Sequence, residues 1–439
     1  MLIMKQKINI FWMRRDLRLE DNHALYRALS SGLPVRILFI FDDQILGKLD
    51  DKSDRRVTFI IERLKHLNHH LSGYNSGIEI LKGNPKEVFK QVFDEFDVEG
   101  LYLNRDYEPY AEERDTTIRD LCLESGISFQ SYKDHLIFEN GEILKNDGSP
   151  YTVYTPFSKK WKSALSESHF QNFNSEKLLN NLDKFNVDAS SADLYFLTGF
   201  NKTEIVNPVP VTPDRETLTA YADTRDLPWR DSTTRLGHHL RFGTISIRKL
   251  VSLAAESSDV FLGELIWREF FSHILAHYPH VENSAFKKQY DLIFWRNDTS
   301  ELERWKNGTT GFPLIDAGMR QLKETGFMHN RVRMITAGFL IKDLLVDWRI
   351  GEAWFAKHLL DYELASNNGN WQWAAGTGCD AAPYFRVFNP ITQQERFDPE
   401  FRYIKQWVPE FGTTKYPAPM TDHKLARLRA IDVYKSVLK

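Results

Sequence analysis

The first 130 or so residues alternate short, almost wholly apolar runs with stretches of helical period. The runs are Ile8–Trp12, Val35–Phe41, Ile78–Leu81, Leu101–Leu103 and Ile127–Phe129, and helical patterns such as Arg55–Leu71 and Pro85–Phe96 lie between them. Strands with no polar face are buried on both sides, and helices between them return the chain in parallel. Residues 1–130 are therefore expected to form an α/β domain with a doubly wound parallel sheet. Residues 131–208 hold Asn, Ser and Asp clusters with little periodicity, which predicts a long, partly irregular connector. From 209 to 439 helical periods dominate, as in Ser246–Ala255, Val260–Ala276, Phe312–Thr325, Asn330–Asp347 and Ile350–Leu360. That part is expected to be an all-α domain. One segment of it, Asn367–Pro409, is rich in Gly, Pro, Asn and aromatics and reads as irregular.

Composition narrows the class. The chain has 439 residues, 42% apolar and 27% charged, as in an ordinary globular protein. No apolar run approaches the roughly 20 residues of a membrane span. The first apolar run is broken by charges and does not read as a signal peptide. Two cysteines, Cys122 and Cys379, exclude a disulfide framework and fit a reducing cytoplasm. Net charge is -5 over residues 1–208 and +2 over 209–439, which neither demands nor excludes nucleic acid. Nine of the 11 Trp lie after residue 220. Large rings bury much apolar area, so core packing is the plain reading. Polar groups beside some of them suggest chemistry as well.

Four segments carry that suggestion. Residues 231–239 set Ser, Thr, Thr, Arg and Gly just before a helix, which suits a phosphate or a simple cap. In Val260–Ala276, Glu264, Trp267, Arg268 and Phe271 share one helical face. That face suits a planar, hydrogen-bonding ligand, or an internal Glu264–Arg268 pair. In residues 328–336, Asn330, Arg333 and Met334 share a face, and an amide reads heterocycle edges with both donor and acceptor. Residues 360–380 gather acids, amides, glycines and two Trp, as a binding loop on a rigid scaffold does. Arg225 and Arg386 are candidate phosphate contacts. The cluster His66, His69 and His70 on an early helix reads as solvated.

These segments together resemble the photolyase/cryptochrome family over nearly the whole chain, and most nearly its class I cyclobutane pyrimidine dimer photolyases. The resemblance rests on residues 11–22, Thr233–Leu236, Glu264–Phe270, Gly311–Leu322, Met328–Met334 and Asn367–Trp373. It implies FAD in the helical domain. Tyr221, Thr233, Thr234, Arg235, Leu236 and Gly237 match the phosphate-holding positions, with Gly237 where relatives often have Ser. Arg268, Asn330, Arg333, Asp361, Tyr362 and Glu363 match the region around the ribose and isoalloxazine, with Glu363 in place of the usual Asp. Asn367 matches the residue that faces flavin N5.

The resemblance further implies light-driven splitting of cyclobutane pyrimidine dimers in UV-damaged DNA, with the dimer flipped out of the duplex. Glu264 and Asn330 would bond its base edges. Trp267 and Trp373 would wall it, with Met334 beside it and Arg268 nearby. Arg225, Arg331 and Arg386 would bind phosphates. Trp371, Trp348 and Trp295 match an electron relay for photoreduction, which leaves Trp229, Trp305, Trp354 and Trp407 as core. The folate-binding branch has an Asn-Glu pair after the fourth strand. Tyr110 and Ala111 stand there, which speaks against folate and leaves a deazaflavin, a second flavin or no antenna. The rival reading is a cryptochrome-type light sensor without repair. Asn367, the lesion-pocket set and the short stretch after Trp407 speak against it. A cytoplasmic monomer with no membrane or metal partner is expected.

Overall fold

The computed structural model describes residues 6–185, 193–206 and 208–438. Part of the expected connector therefore lies outside the described residues. Five strands form one parallel sheet in the order β3-β2-β1-β4-β5: β1 (Lys7–Met13), β2 (Val35–Asp42), β3 (Ile78–Gly83), β4 (Asp97–Asn104) and β5 (Ser128–Tyr132). Ile10 of β1 is flanked by Arg36 of β2 and Leu101 of β4. After Lys7 every residue of β1 is buried, whereas β3 and β5 at the edges are mostly half-exposed. Helices cover the central strands on both faces, which is why their sequence shows no polar alternation. Phe89, Val92, Ile118 and Cys122 from two of these helices pack with Ile8, Ile10 and Trp12. The order reverses at β1, so a crevice opens beyond the carboxyl ends of β1 and β4.

By internal contacts the chain forms two compact units. The first gathers the described residues of Met1–Glu139, Leu165–Ile205 and Leu236–Leu253; the second, those of Asn140–Ala164, Val206–Arg235 and Ala254–Lys439. Helix Tyr154–Ala164 interrupts the stretch read as connector and belongs to the second unit. It docks on helix Asp259–His277, where the Trp161 indole donates to Glu269 at 2.6 Å and Phe157 meets Phe270 at 5.2 Å. The main core of the second unit includes Trp305, Trp348 and Trp371, and Trp229, Trp354 and Trp407 pack against it.

Two expectations are corrected. Asn330–Asp347 is not one helix. The α-helix ends at Gly338, a π-helical turn spans Phe339–Asp343, and Leu345 turns the chain with φ +53°. Thr336 bonds back to the Val332 carbonyl at 2.9 Å, and Lys342 is buried with its Nζ donating to the Ala375 carbonyl at 2.8 Å. Such back-bonding and π turns interrupt regular helices. Nor is Asn367–Pro409 irregular throughout: Leu364–Ala375, Pro390–Phe397 and Arg402–Trp407 are helices. In Leu364–Ala375 the amides Asn367, Asn368 and Gln372 are buried along with Trp371 and Ala375, so no polar face marks the period. Gly376, at φ +82°, ends that helix in the left-handed conformation glycine favours. The three histidines His66, His69 and His70 are exposed, as read.

Candidate active site

Helix packing in the second unit brings the candidate residues together. Gly369 lets helix Leu364–Ala375 approach helix Asp259–His277, since a Cβ there would lie 2.1 Å from Phe271. Gly351 does the same for helix Trp348–His358, where a Cβ would meet the Trp371 ring at 2.2 Å. No larger residue fits either place. Between these helices and Asn330–Gly338 lies an open cavity of about 590 Å³. Asn330, Arg333 and Met334 line one side, Asp361, Tyr362 and Glu363 another, and Asn367, Trp371 and Trp373 a third. Trp373 also lines an apolar cavity of about 340 Å³ together with Trp267, Phe271 and Cys379.

The polar residues of the larger cavity are ordered by one another. Arg333 donates to the Met328 carbonyl at 2.7 Å and to Asp361 Oδ2 at 2.9 Å. Asp361 Oδ1 is buried and has no hydrogen-bond partner. The Arg268 guanidinium grips both oxygens of Glu363, at 2.8 and 3.0 Å, and the Ser366 hydroxyl donates to the same carboxylate. Arg268 therefore pairs across helices rather than with Glu264 on its own. The buried Asn367 donates from Nδ2 to Glu352 Oε1 at 2.7 Å and to the Glu352 carbonyl at 3.1 Å. Burial pushes the Glu352 carboxyl above its ordinary value. Glu352 escaped the sequence reading because it lies on another helix, 15 positions away.

The neighbouring amides have a different task. Asn368 and Gln372 both donate to the Val281 carbonyl, at 2.9 and 3.0 Å, and so brace the loop after helix Asp259–His277. Much of the polar richness of residues 360–380 is thus structural, contrary to the reading of the whole segment as a binding loop.

Glu264 and Trp267 project from helix Asp259–His277. Glu264 is ion-paired with Arg225. Burial pushes its carboxyl up, partly offset by Arg225. Trp267 lies flat against Tyr154, ring centres 3.6 Å apart and planes 5° apart, so one indole face is covered. Arg331 reaches Asp226 at 2.8 Å, and the exposed Arg386 sits 5.6 Å over Phe388.

The Thr233–Arg235 stretch is loop, and Arg235 adopts φ +48°, a conformation L residues hold only when surroundings enforce it. Its Nη2 reaches Asp231 at 3.0 Å, while its Nε is buried without a partner. Tyr221 is half-buried. Leu236 and Gly237, at the start of the next short helix, belong by contacts to the first unit. A buried donor or acceptor left unmade costs about 1–3 kcal/mol. Arg235 Nε and Asp361 Oδ1 therefore suit a ligand bearing both phosphate oxygens and hydroxyls, which FAD does. The donor set and the orphaned atoms fit that cofactor.

Of the three relay candidates, Trp371 and Trp348 are buried, 2% and 1% exposed, and Trp295 is half-buried, edge-on to Tyr434 at 6.1 Å. Trp305, read as core, is fully buried and stands 6.4 Å from the Trp371 ring. In the first unit the strand-end crevice holds Tyr110, whose hydroxyl donates to Asp42 at 2.6 Å, and the buried Ala111. Arg14 and Arg114 lie 4.8 and 4.9 Å over Trp12. No group of acids, histidines and cysteines among the described residues is arranged to hold a metal, and no helix among them is long and apolar enough to cross a membrane.

Comparison with known proteins agrees with this arrangement. Residues 9–175 match the DNA photolyase family model, and residues 261–415 match the FAD binding domain of DNA photolyase. The chain is 36% identical to the deoxyribodipyrimidine photo-lyase of Halobacterium salinarum, over 98% of this chain and 99% of that protein. It is 34% identical to that of Escherichia coli, over 98% and 99%. An archaeal photolyase from Sulfolobus tokodaii, solved with two FAD molecules, superposes with a TM-score of 0.84 at 36% identity, covering 98% of this chain and 100% of that one. A bacterial class III photolyase from Agrobacterium tumefaciens gives 0.85 at 30% identity, covering 99% and 98%. Full-length likeness to photo-lyases, and a helical unit that matches the FAD binding domain of DNA photolyase, make this chain a member of the DNA photolyase family, an FAD-dependent lyase.

Proposed function

We propose that this protein repairs UV-damaged DNA by splitting cyclobutane pyrimidine dimers in light. The observation that carries this reading is the shared cavity: the flavin-side residues Arg333, Asp361 and Asn367 and the lesion-side residues Asn330, Met334 and Trp373 line one volume. FAD, when bound and reduced, supplies the light-absorbing electron donor. Arg235, Arg333, Asp361 and Asn367 would hold it. Glu352 fixes the Asn367 amide in one orientation by taking both its N–H bonds. Asn330 and Glu264 orient the flipped dimer by its base edges. Because burial raises the Glu264 carboxyl, it holds a proton more readily than a surface glutamate and offers a hydrogen bond where negative charge gathers. The Trp267 and Trp373 rings exclude water from the dimer. Trp371, Trp348 and Trp295 carry electrons inward for photoreduction.

The test is to give flavin-loaded protein dimer-containing DNA, a reductant and blue light. Dimer loss is expected only in light. Dimers left intact by a protein with its full flavin complement would sink this reading in favour of a light sensor without repair.

A further inference from the structure

Three arginines are proposed phosphate contacts, and they are held differently. Arg331 directs Nε and Nη2 to one oxygen of Asp226, at 3.3 and 2.8 Å. Arg225 Nε lies 3.9 Å from that same oxygen, and its Nη1 is bonded to Glu264. Each guanidinium also rests on a ring: Arg331 4.4 Å over Phe397, Arg225 5.7 Å over Tyr221. Arg386 is exposed and has no ion pair among the described residues. Asp226 belongs to none of the segments singled out in the sequence, yet it joins two of the three arginines and, through Arg225, the lesion-reading Glu264.

To a guanidinium, an Asp carboxylate and a DNA phosphate are the same kind of partner, a monoanion with oxygens that accept its fork. Asp226 has 39% of its side chain exposed, so its pairs are within reach of solvent and of a docking strand. Pairs of that exposure contribute little and exchange readily.

Resting on the repair reading above, we propose that Asp226 is a built-in competitor for DNA: backbone phosphates must take Arg225 and Arg331 from it and from Glu264. The exchange has two consequences. Undamaged DNA offers only phosphates in return for the pairs it breaks. A flipped dimer also offers base edges to Glu264 once Arg225 has left it. Asp226 therefore weakens binding to undamaged DNA more than to damaged DNA, and the docking of phosphates becomes coupled to lesion reading.

The test is Asp226→Asn, which keeps the shape and removes the charge. Flavin-loaded wild-type and variant proteins are titrated with undamaged and dimer-containing duplexes over a range of salt. The variant is expected to bind undamaged duplex about threefold to fivefold more tightly, with a smaller gain on the dimer and a salt slope steeper by about one. Weaker binding to both duplexes would mean that Asp226 merely positions the arginines, and unchanged binding would mean that it does neither; either overturns the proposal. Flavin absorbance and melting temperature confirm the fold, and Asp226→Ser repeats the test should the amide disturb it. If wild-type protein shows no preference for the dimer, the repair reading fails, while the undamaged-duplex titrations still decide the role of Asp226.

Discussion

The cavity of the helical unit and the strand-end crevice of the α/β unit contain similar residues put to different use. In the cavity, Arg333 holds one oxygen of Asp361 and leaves the other buried and unpaired. In the crevice, Tyr110 donates to Asp42, Arg14 pairs with Asp115, and Asn104 donates to Asp16 at 2.6 Å. There the buried Trp12 indole N–H, the single donor of an apolar ring, is left without an acceptor. A buried polar atom without a partner is costly, and one that borders an open cavity can be completed by a ligand. The lesson is that an unmade bond on the wall of an open cavity marks a ligand site better than polar composition does.

If that contrast holds, changes in the cavity should cost function and changes in the crevice only stability. Trp371→Phe should abolish photoreduction, a loss of tenfold or more measured by flavin absorbance under light, yet leave repair by chemically reduced protein intact; surviving photoreduction would send electrons elsewhere. Glu264→Ala should slow dimer repair by roughly 100-fold, the scale of losing one donor to developing charge, with little loss of flavin. Equal losses of both would remove Glu264 from the lesion. Asp361→Ala should weaken flavin retention by about tenfold, as expected for about 1–2 kcal/mol, read by equilibrium dialysis. Tyr110→Phe should cost about 1 kcal/mol of stability in a denaturant melt while flavin content stays constant. A drop in flavin content would break the contrast.

The smallest effect concerns pH. Burial holds the Glu352 carboxyl above its ordinary 4.5, so the folded protein binds that proton more tightly than the unfolded chain. Its contribution is fully present below 4.5 and is lost as pH rises through the raised value. Glu352→Gln should therefore raise Tm by roughly 1–2 °C at neutral pH, and the gain should vanish in acid. A gain that persists below pH 4 would contradict a protonated Glu352.

The α/β unit was legible because its strands are marked by short apolar runs between helical stretches; four strands contain their runs, and β5, Ser128–Tyr132, overlaps only the end of Ile127–Phe129. The helical unit was legible in its long amphipathic helices and failed at two places. Leu364–Ala375 buries the amides Asn367, Asn368 and Gln372 on the same face as Trp371, so polarity does not mark its buried side. Asn330–Asp347 looks continuous because the buried Lys342 and Asp343 read as a polar face. Asn330 and Arg333 were legible as one helical face and Asp361 and Asn367 as part of a polar segment; family resemblance assigned them to a flavin, and their partner Glu352 was not legible at all.

The order of strands and helices, and the aromatic richness of the helical half, follow from the sequence alone, because periodicity and ring burial are local properties of the chain. Which carboxylate meets which arginine was decided only in three dimensions. Arg268 takes Glu363 rather than Glu264, four positions before it; Arg225 takes Glu264; Asp226 takes Arg331. Ion pairs between helices depend on how ridges and glycines such as Gly369 and Gly351 let the helices approach, and one-dimensional spacing does not record that approach.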